Sequence, residues 1–298
     1  MHSPSLYDAP RALSDAAPLS GDQLQSFRDR GYIALANVLS PSELQESRDA
    51  LTSIARDAVG NPDAFERKGQ GNGTWFQHRT SPLFVQIEPG QDASTLQPAD
   101  MEAVVRKYMW FSKAAPVFTR ILGEGGMIQR IVTSLIGANP LLFQEMALVK
   151  PPYIGSEKPW HQDNAYFSVA PLDAVIGVWI ALDDAEPENG CMHVLPGGHK
   201  LGPRRHFHGM DCEIEHDRLD PAGALAVPVP AGGAMFFYGL LPHQTPPNRS
   251  PLRRRALQFH YRAATSTIVD EALYNTLFAE ADGTPASCRA ATVRKQVR

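Results

Sequence analysis

The stretch Pro159-Trp160-His161-Gln162-Asp163-Asn164-Ala165-Tyr166-Phe167 places an imidazole and a carboxylate two residues apart. On an extended strand, residues two apart project from one face. His161 and Asp163 would then offer two ligands to a single divalent cation. A third donor is available far along the chain in Leu241-Pro242-His243-Gln244-Thr245. Two histidines and one carboxylate on one side of a metal leave the other side open, which is the arrangement of non-haem Fe(II) oxygenases. His-x-Asp by itself also fits a surface turn or a satisfied polar pair, so the rest of the chain has to support it.

A run of three arginines, Arg253 to Arg255, opens an apolar segment that ends near Tyr261. On a strand, Arg254, Ala256, Gln258 and His260 share one face, and Arg253, Arg255, Leu257 and Phe259 share the other. A buried arginine needs an anionic partner, and a ligand carboxylate matches its planar fork. Alternation alone leaves open which arginine points inward. His260 reads as a hydrogen-bonded core histidine. His206 and His208, with His216 and Asp211, Glu213 and Glu215 nearby, form a second group of ligating residue types. They lie in the polar, irregular segment from Gly202 to Gly223, which reads as a loop at the mouth of the site. His193 and His199 flank a turn and read as structural.

The elements that must position these groups follow from composition and pattern. The chain has 298 residues, 43% hydrophobic and 20% charged, with net charge −4. That is an ordinary globular balance, and it gives no basic surface for nucleic acid. Plentiful turn formers, 25 Pro and 23 Gly, favour short strands over a helix bundle. Cys191, Cys212 and Cys288 are odd in number and widely spaced. They predict neither a disulfide framework nor a thiolate metal site, in keeping with a reducing, cytoplasmic setting. No apolar run is long enough to span a membrane, and the first residues carry no signal-peptide pattern.

A loose lead-in is expected over 1–19, then a helix from Ser20 to Arg30 ended by Gly31, and a strand from Tyr32 to Leu35. Ser40-Pro41-Ser42-Glu43 is a capping box with proline in the first turn, and the helix it starts should reach about Val59. Residues 60–82 read as a surface loop, Leu83 to Ile87 as a strand, and 103–134 as helical segments broken at Gly123 to Gly126. Leu141 to Val149, Ile176 to Leu182, Met192 to Leu195, Ala234 to Tyr238 and Ala256 to Tyr261 are short strands separated by turn clusters. Helices before strands predict one α+β unit over 20–298. Its helical layer would pack on an antiparallel double-stranded β-helix (a cupin-like jelly roll) spanning about 141–263, with a C-terminal extension over 264–298.

With these residues in place, the sequence resembles the phytanoyl-CoA dioxygenase family of Fe(II)- and 2-oxoglutarate-dependent oxygenases, over roughly Gly21 to Ala263. The resemblance rests on Pro159 to Asp163, Gly177 to Asp184, Glu188 to Met192, Pro196-Gly197-Gly198-His199-Lys200, and His243 with Asn248 and Arg254. A glycine at 198, where the family often has serine, should alter only a turn. The resemblance implies that His161, Asp163 and His243 bind Fe(II), that Arg254 holds the distal carboxylate of 2-oxoglutarate, and that Trp179 and Lys150 face this cosubstrate. It places Gln144, Asn164 and Phe167 on the substrate side. The implied activity uses O2 to oxidise, by hydroxylation in the first instance, a C–H bond of a small molecule, releasing succinate and CO2. Desaturation, epoxidation or ring formation would use the same residues, whereas a cupin-type metal protein that is not an oxygenase would have no need of Arg254. Asp163 argues against halogenation, since a halide would require its coordination position. No nucleic-acid or membrane partner is implied, and oligomeric state is not specified.

Overall fold

The computed structural model describes residues 6–8, 18–69, 73–137, 139–208, 211–215, 219–270 and 276–278. Within the expected lead-in, Leu6–Asp8 (β1) forms a short strand. Ser20 accepts the Gln23 N–H at 3.2 Å, and the Gln23 side chain accepts the Ser20 N–H at 2.8 Å. This box starts α1 (Gly21–Arg30), which Gly31 ends in the left-handed region. β2 (Tyr32–Ala36) follows and pairs in parallel with β1. Ser40 and Glu43 make the same reciprocal cap on α2 (Pro41–Gly60). Helix starts are legible because each depends on side chains three residues apart.

Two expectations fail in the next stretch. Residues 60–82 are not simply a loop: Phe65–Lys68 (β3) and Trp75–His78 (β4) are strands, continued by β5 (Phe84–Ile87) and β6 (Val105–Met109) into one antiparallel meander. The helical reading of 103–134 fails at β6. There the buried residues Val105 and Tyr108 stand three apart, a helical interval, because the pairing shifts register between Gln86 and Ile87. An extra residue in one strand converts a two-residue period into three. The later part is helical as expected, with α3 (Pro116–Ile121) and α4 (Met127–Ile136) on either side of the glycine break.

The remaining strands are β7 (Pro140–Lys150), β8 (Lys158–His161), β9 (Val169–Ala170), β10 (Val175–Ala181), β11 (Met192–Val194), β12 (His206–His208), β13 (Cys212–Ile214), β14 (Leu225–Val227), β15 (Ala234–Tyr238), β16 (His243–Thr245), β17 (Arg254–Ala263) and β18 (Thr267–Ile268). The major sheet has ten strands in the order β1-β2-β15-β10-β17-β7-β6-β5-β4-β3, and a minor sheet runs β14-β11-β16-β8. The architecture is the α+β jelly roll expected from the sequence.

Alternation along the strands sorts two cores. Val178, Ile180, Phe236, Leu257 and Phe259 pack against helix residues such as Phe27, Leu51, Ile54 and Ile131. Trp179, Ala181, Met235, Phe237 and Ala256 face the other way and meet Met192, Val194 and Val227 of the minor sheet. The polar positions Arg254, Gln258 and His260 lie on this second, inter-sheet face, in register with Lys150, Met146 and Gln144 of β7. Gly177 is glycine because the Phe237 ring lies on it: a Cβ there would stand 2.4 Å from a ring carbon. That ring in turn packs on His243, 4.8 Å between centroids.

One expectation about covalent chemistry also changes. Cys212 is disulfide-bonded, while Cys191 is free and buried. Widely spaced cysteines carry no local signal for a bond that only the tertiary fold creates. Among the described residues no helix is long and apolar enough to cross a membrane.

Candidate metal centre

β8 and β16 are neighbours in the minor sheet, and His161 and His243 are register partners. Their rings stand 4.2 Å apart between centroids. In each ring Nδ1 meets the carbonyl two residues back, Pro159 O at 2.8 Å and Leu241 O at 2.9 Å. A carbonyl only accepts, so Nδ1 carries the proton and Nε2 presents a bare lone pair. Burial pushes the His243 pKa down to about 3, which keeps that ring neutral.

Asp163 is not on the strand. β8 ends at His161, Gln162 stays extended, and Asp163 begins a 3-10 turn over Asp163–Tyr166. Its Oδ1 nevertheless lies 3.3 Å from His161 Nε2 and 3.8 Å from His243 Nε2. Burial works to raise the carboxyl pKa, but the neighbouring histidines, His260 foremost, outweigh it and hold Asp163 well below the usual carboxylate range. One donor atom from each of His161, Asp163 and His243 falls within a common 4.8 Å, and all three residues are buried. Two neutral imidazoles and a carboxylate suit a divalent first-row cation.

The three arginines separate cleanly. Arg253 meets Glu102 at 2.7 Å, and Arg255 grips Asp183 through two bonds of 2.9 and 2.8 Å. Arg254 is 1% exposed and has no carboxylate partner among the described residues. Its nearest acceptor is Leu148 O at 3.4 Å, and its Nε is unpaired. The guanidinium carbon sits 5.4 Å from the Trp179 ring centroid, and Trp179 Nε1 is likewise buried without a partner. Burial lowers the Arg254 pKa to about 10, so it stays charged at neutral pH. A buried cation beside an orphaned indole N–H is a pair of donors that could hold a carboxylate.

Lys150, in register with Arg254, is buried and donates to Ser156 O and Thr245 O. Burial and the Arg254 charge hold its pKa well below the ordinary range. Gln144 has an unpaired buried Oε1 and is the register partner of His260. The Phe167 ring packs on His260 at 4.9 Å. Asn164 is fully buried, its amide donates to Leu172 O at 2.7 Å, and its backbone N–H donates to Gly239 O at 3.0 Å. These bonds latch the turn that carries Asp163.

Two histidines matter more than the sequence indicated. His260 meets Asp163 Oδ2 at 2.7 Å. His206, expected in a mouth loop, is buried on β12 and accepts the Gln162 N–H at 2.9 Å, with its own Nδ1 against Arg204 O at 2.8 Å. The Gln162 side chain donates to Gly202 O (3.0 Å) and Leu240 O (2.7 Å) and accepts the Arg204 N–H (2.7 Å). The residue between the two ligands thus ties the 202–206 segment to the strand end carrying His243. Asp211 adds ion pairs to Lys158 at 2.6 Å and Arg106 at 3.4 Å. The described residues Gly202, Arg204, His206 and Asp211 are thus pinned around the site. His216 lies outside the described residues, and so does its place in a second cluster. His206→Leu is expected to weaken metal binding roughly tenfold, the lower end for losing a supporting partner. Titration with Mn(II), followed by calorimetry, would show it, and an unchanged affinity would refute the role given to His206.

The chain is similar to known proteins over most of its length. A profile of the family described as "Phytanoyl-CoA dioxygenase (PhyH)" matches residues 27–256. Phytanoyl-CoA dioxygenase domain-containing protein 1 of Danio rerio is 29% identical over 279 residues, covering 84% of this chain and 92% of that protein. Phytanoyl-CoA dioxygenase 1 of Oryza sativa subsp. japonica is 29% identical over 253 residues, covering 82% and 89%. Among solved structures, EvdO2 from Micromonospora carbonacea var. aurantiaca complexed with 2-oxoglutarate shares the fold. Its TM-score is 0.60 at 24% identity, covering 85% of this chain and 94% of that one.

Proposed function

The chain belongs to the phytanoyl-CoA dioxygenase family, and from that premise we propose that it is an Fe(II)- and 2-oxoglutarate-dependent dioxygenase that hydroxylates a C–H bond of a small molecule. Bound Fe(II), with 2-oxoglutarate and O2, supplies the oxidising power, and the cosubstrate leaves as succinate and CO2. His161, Asp163 and His243 hold the metal through the two bare Nε2 atoms and Oδ1. Arg254 takes the distal carboxylate of 2-oxoglutarate in its fork, Trp179 Nε1 and Lys150 line the same pocket, and the surrounding inter-sheet core excludes water. Gln144 and Phe167 stand on the substrate side.

The observation that carries this reading is Arg254, charged, 1% exposed and without a carboxylate partner among the described residues, on the face shared with the His–Asp–His group. A cupin-type metal protein that is not an oxygenase would gain nothing from a buried, unpaired guanidinium, which costs stability until an anion arrives. Adding Fe(II) and 2-oxoglutarate without oxygen should produce a weak visible charge-transfer band. With oxygen, a screen of small metabolites should find compounds that raise succinate release above the uncoupled background and gain one oxygen atom by mass. No band would refute the site, and a product two hydrogens lighter without added oxygen would refute hydroxylation.

A further inference from the structure

Asp163 shows two oxygens in two different environments. Oδ1 faces the Nε2 atoms of His161 and His243, at 3.3 and 3.8 Å. Oδ2 is turned away from them toward β17, where His260 Nε2 lies at 2.7 Å and Gln258 Nε2 at 3.2 Å. A carboxylate is only an acceptor, so His260 must carry its proton on Nε2, and the Gln258 amide must present its nitrogen. His260 Nδ1 is left buried with no partner. Both donors are buried, 1% and 4% exposed, on a strand flanked on both sides in the major sheet. The His260 ring is further fixed by Phe167 at 4.9 Å and Phe143 at 6.3 Å. Two donors on a rigid strand thus hold one oxygen of a carboxylate whose other oxygen faces the ligand histidines.

We propose that His260 and Gln258 are positioning residues that make Asp163 a one-oxygen ligand. Resting on the metal reading above, this role bears on how many coordination positions remain. A carboxylate free to turn could give both oxygens to one ion and occupy a position that the cosubstrate needs. With Oδ2 committed to two hydrogen bonds, that turn requires breaking both. His260 makes the shorter bond and is the main restraint. Supporting partners of this kind set both affinity and ligand orientation.

Cobalt(II) provides a test that does not depend on turnover, because the intensity of its visible bands follows coordination number. The metal-free protein, wild type and variants, would be titrated with Co(II) alone. His260→Leu is expected to bind roughly 10- to 100-fold more weakly and to show an altered band intensity. His260→Gln, which restores an N–H donor, should recover most of both, and Gln258→Leu should shift both in the same direction by less. Wild-type affinity and spectrum in His260→Leu would overturn the proposal. So would equal losses in His260→Leu and His260→Gln, which would mark a packing role. If His260→Leu fails to fold, Gln258→Leu decides: an unchanged spectrum and affinity there refutes the restraint. Absence of Co(II) bands in the wild type would instead refute the metal reading itself.

Discussion

Asp163→Ala is expected to abolish Fe(II) binding at micromolar concentrations and, with it, the anaerobic band formed with 2-oxoglutarate. The substitution removes the only carboxylate of the His161, Asp163, His243 group. Two neutral imidazoles would remain to hold a dication in a site of about 4% exposure, without the charge that offsets its lost hydration. The loss should exceed the roughly 10- to 100-fold typical of removing a supporting partner. The histidines would keep their orientation, because Pro159 O and Leu241 O hold their Nδ1 atoms independently of Asp163. The variant should therefore still fold, but less stably. His260 and Gln258 would lose their acceptor, and an unmade buried hydrogen bond costs about 1–3 kcal/mol. Calorimetric titration with Fe(II) under nitrogen and thermal melting of the metal-free protein separate the two effects. An affinity within threefold of wild type would remove Asp163 from the ligand set.

What the sequence carried and what it did not can be traced to the range of each signal. Ser40 with Glu43 acts across three residues, and the cap expected there forms; Ser20 with Gln23 makes a second such box where only a helix start was expected. β7, β10, β11, β15 and β17 were legible because each is a short apolar run between turn formers, whereas β14 and β16, three residues each, were not. β6 was not, because a bulge moved its buried residues to a helical interval. The metal group was legible through residue types and family resemblance, although Asp163 reaches the site from a 3-10 turn and not from a strand. The supporting histidines were hidden for a different reason. His161, His206 and His243 all place Nδ1 against the carbonyl two residues back. This local device frees Nε2 in each, and only the fold decides whether that nitrogen meets a metal or the Gln162 N–H. His260 lacks the device, and its partner Asp163 is remote in sequence. Alternation placed His260 on the face of Arg254 but could not bring Asp163 to it.

The three consecutive arginines should respond to substitution in opposite directions. Arg254→Met is expected to weaken 2-oxoglutarate binding by about 2–5 kcal/mol, the cost of removing one side of a buried charged pair. That is roughly 30-fold to several thousand-fold in Kd at about 1.4 kcal/mol per decade. In the ligand-free protein the same change should be neutral or stabilising, by about 1 kcal/mol, because Arg254 there is a buried charge with no carboxylate among the described residues to repay its desolvation. Arg255→Met should do the reverse. It breaks two bonds to Asp183 between side chains 16% and 17% exposed, costing about 1–3 kcal/mol of stability and leaving 2-oxoglutarate affinity nearly unchanged. The contrast follows from strand alternation: neighbouring residues on β17 face different layers, one toward the proposed cosubstrate pocket and one toward the Asp183 carboxylate. Melting temperatures with and without 2-oxoglutarate, read on both variants in the presence of Mn(II), test the two signs together. If Arg254→Met lowers ligand-free stability as much as Arg255→Met does, the guanidinium has a structural partner, and its assignment to the cosubstrate falls.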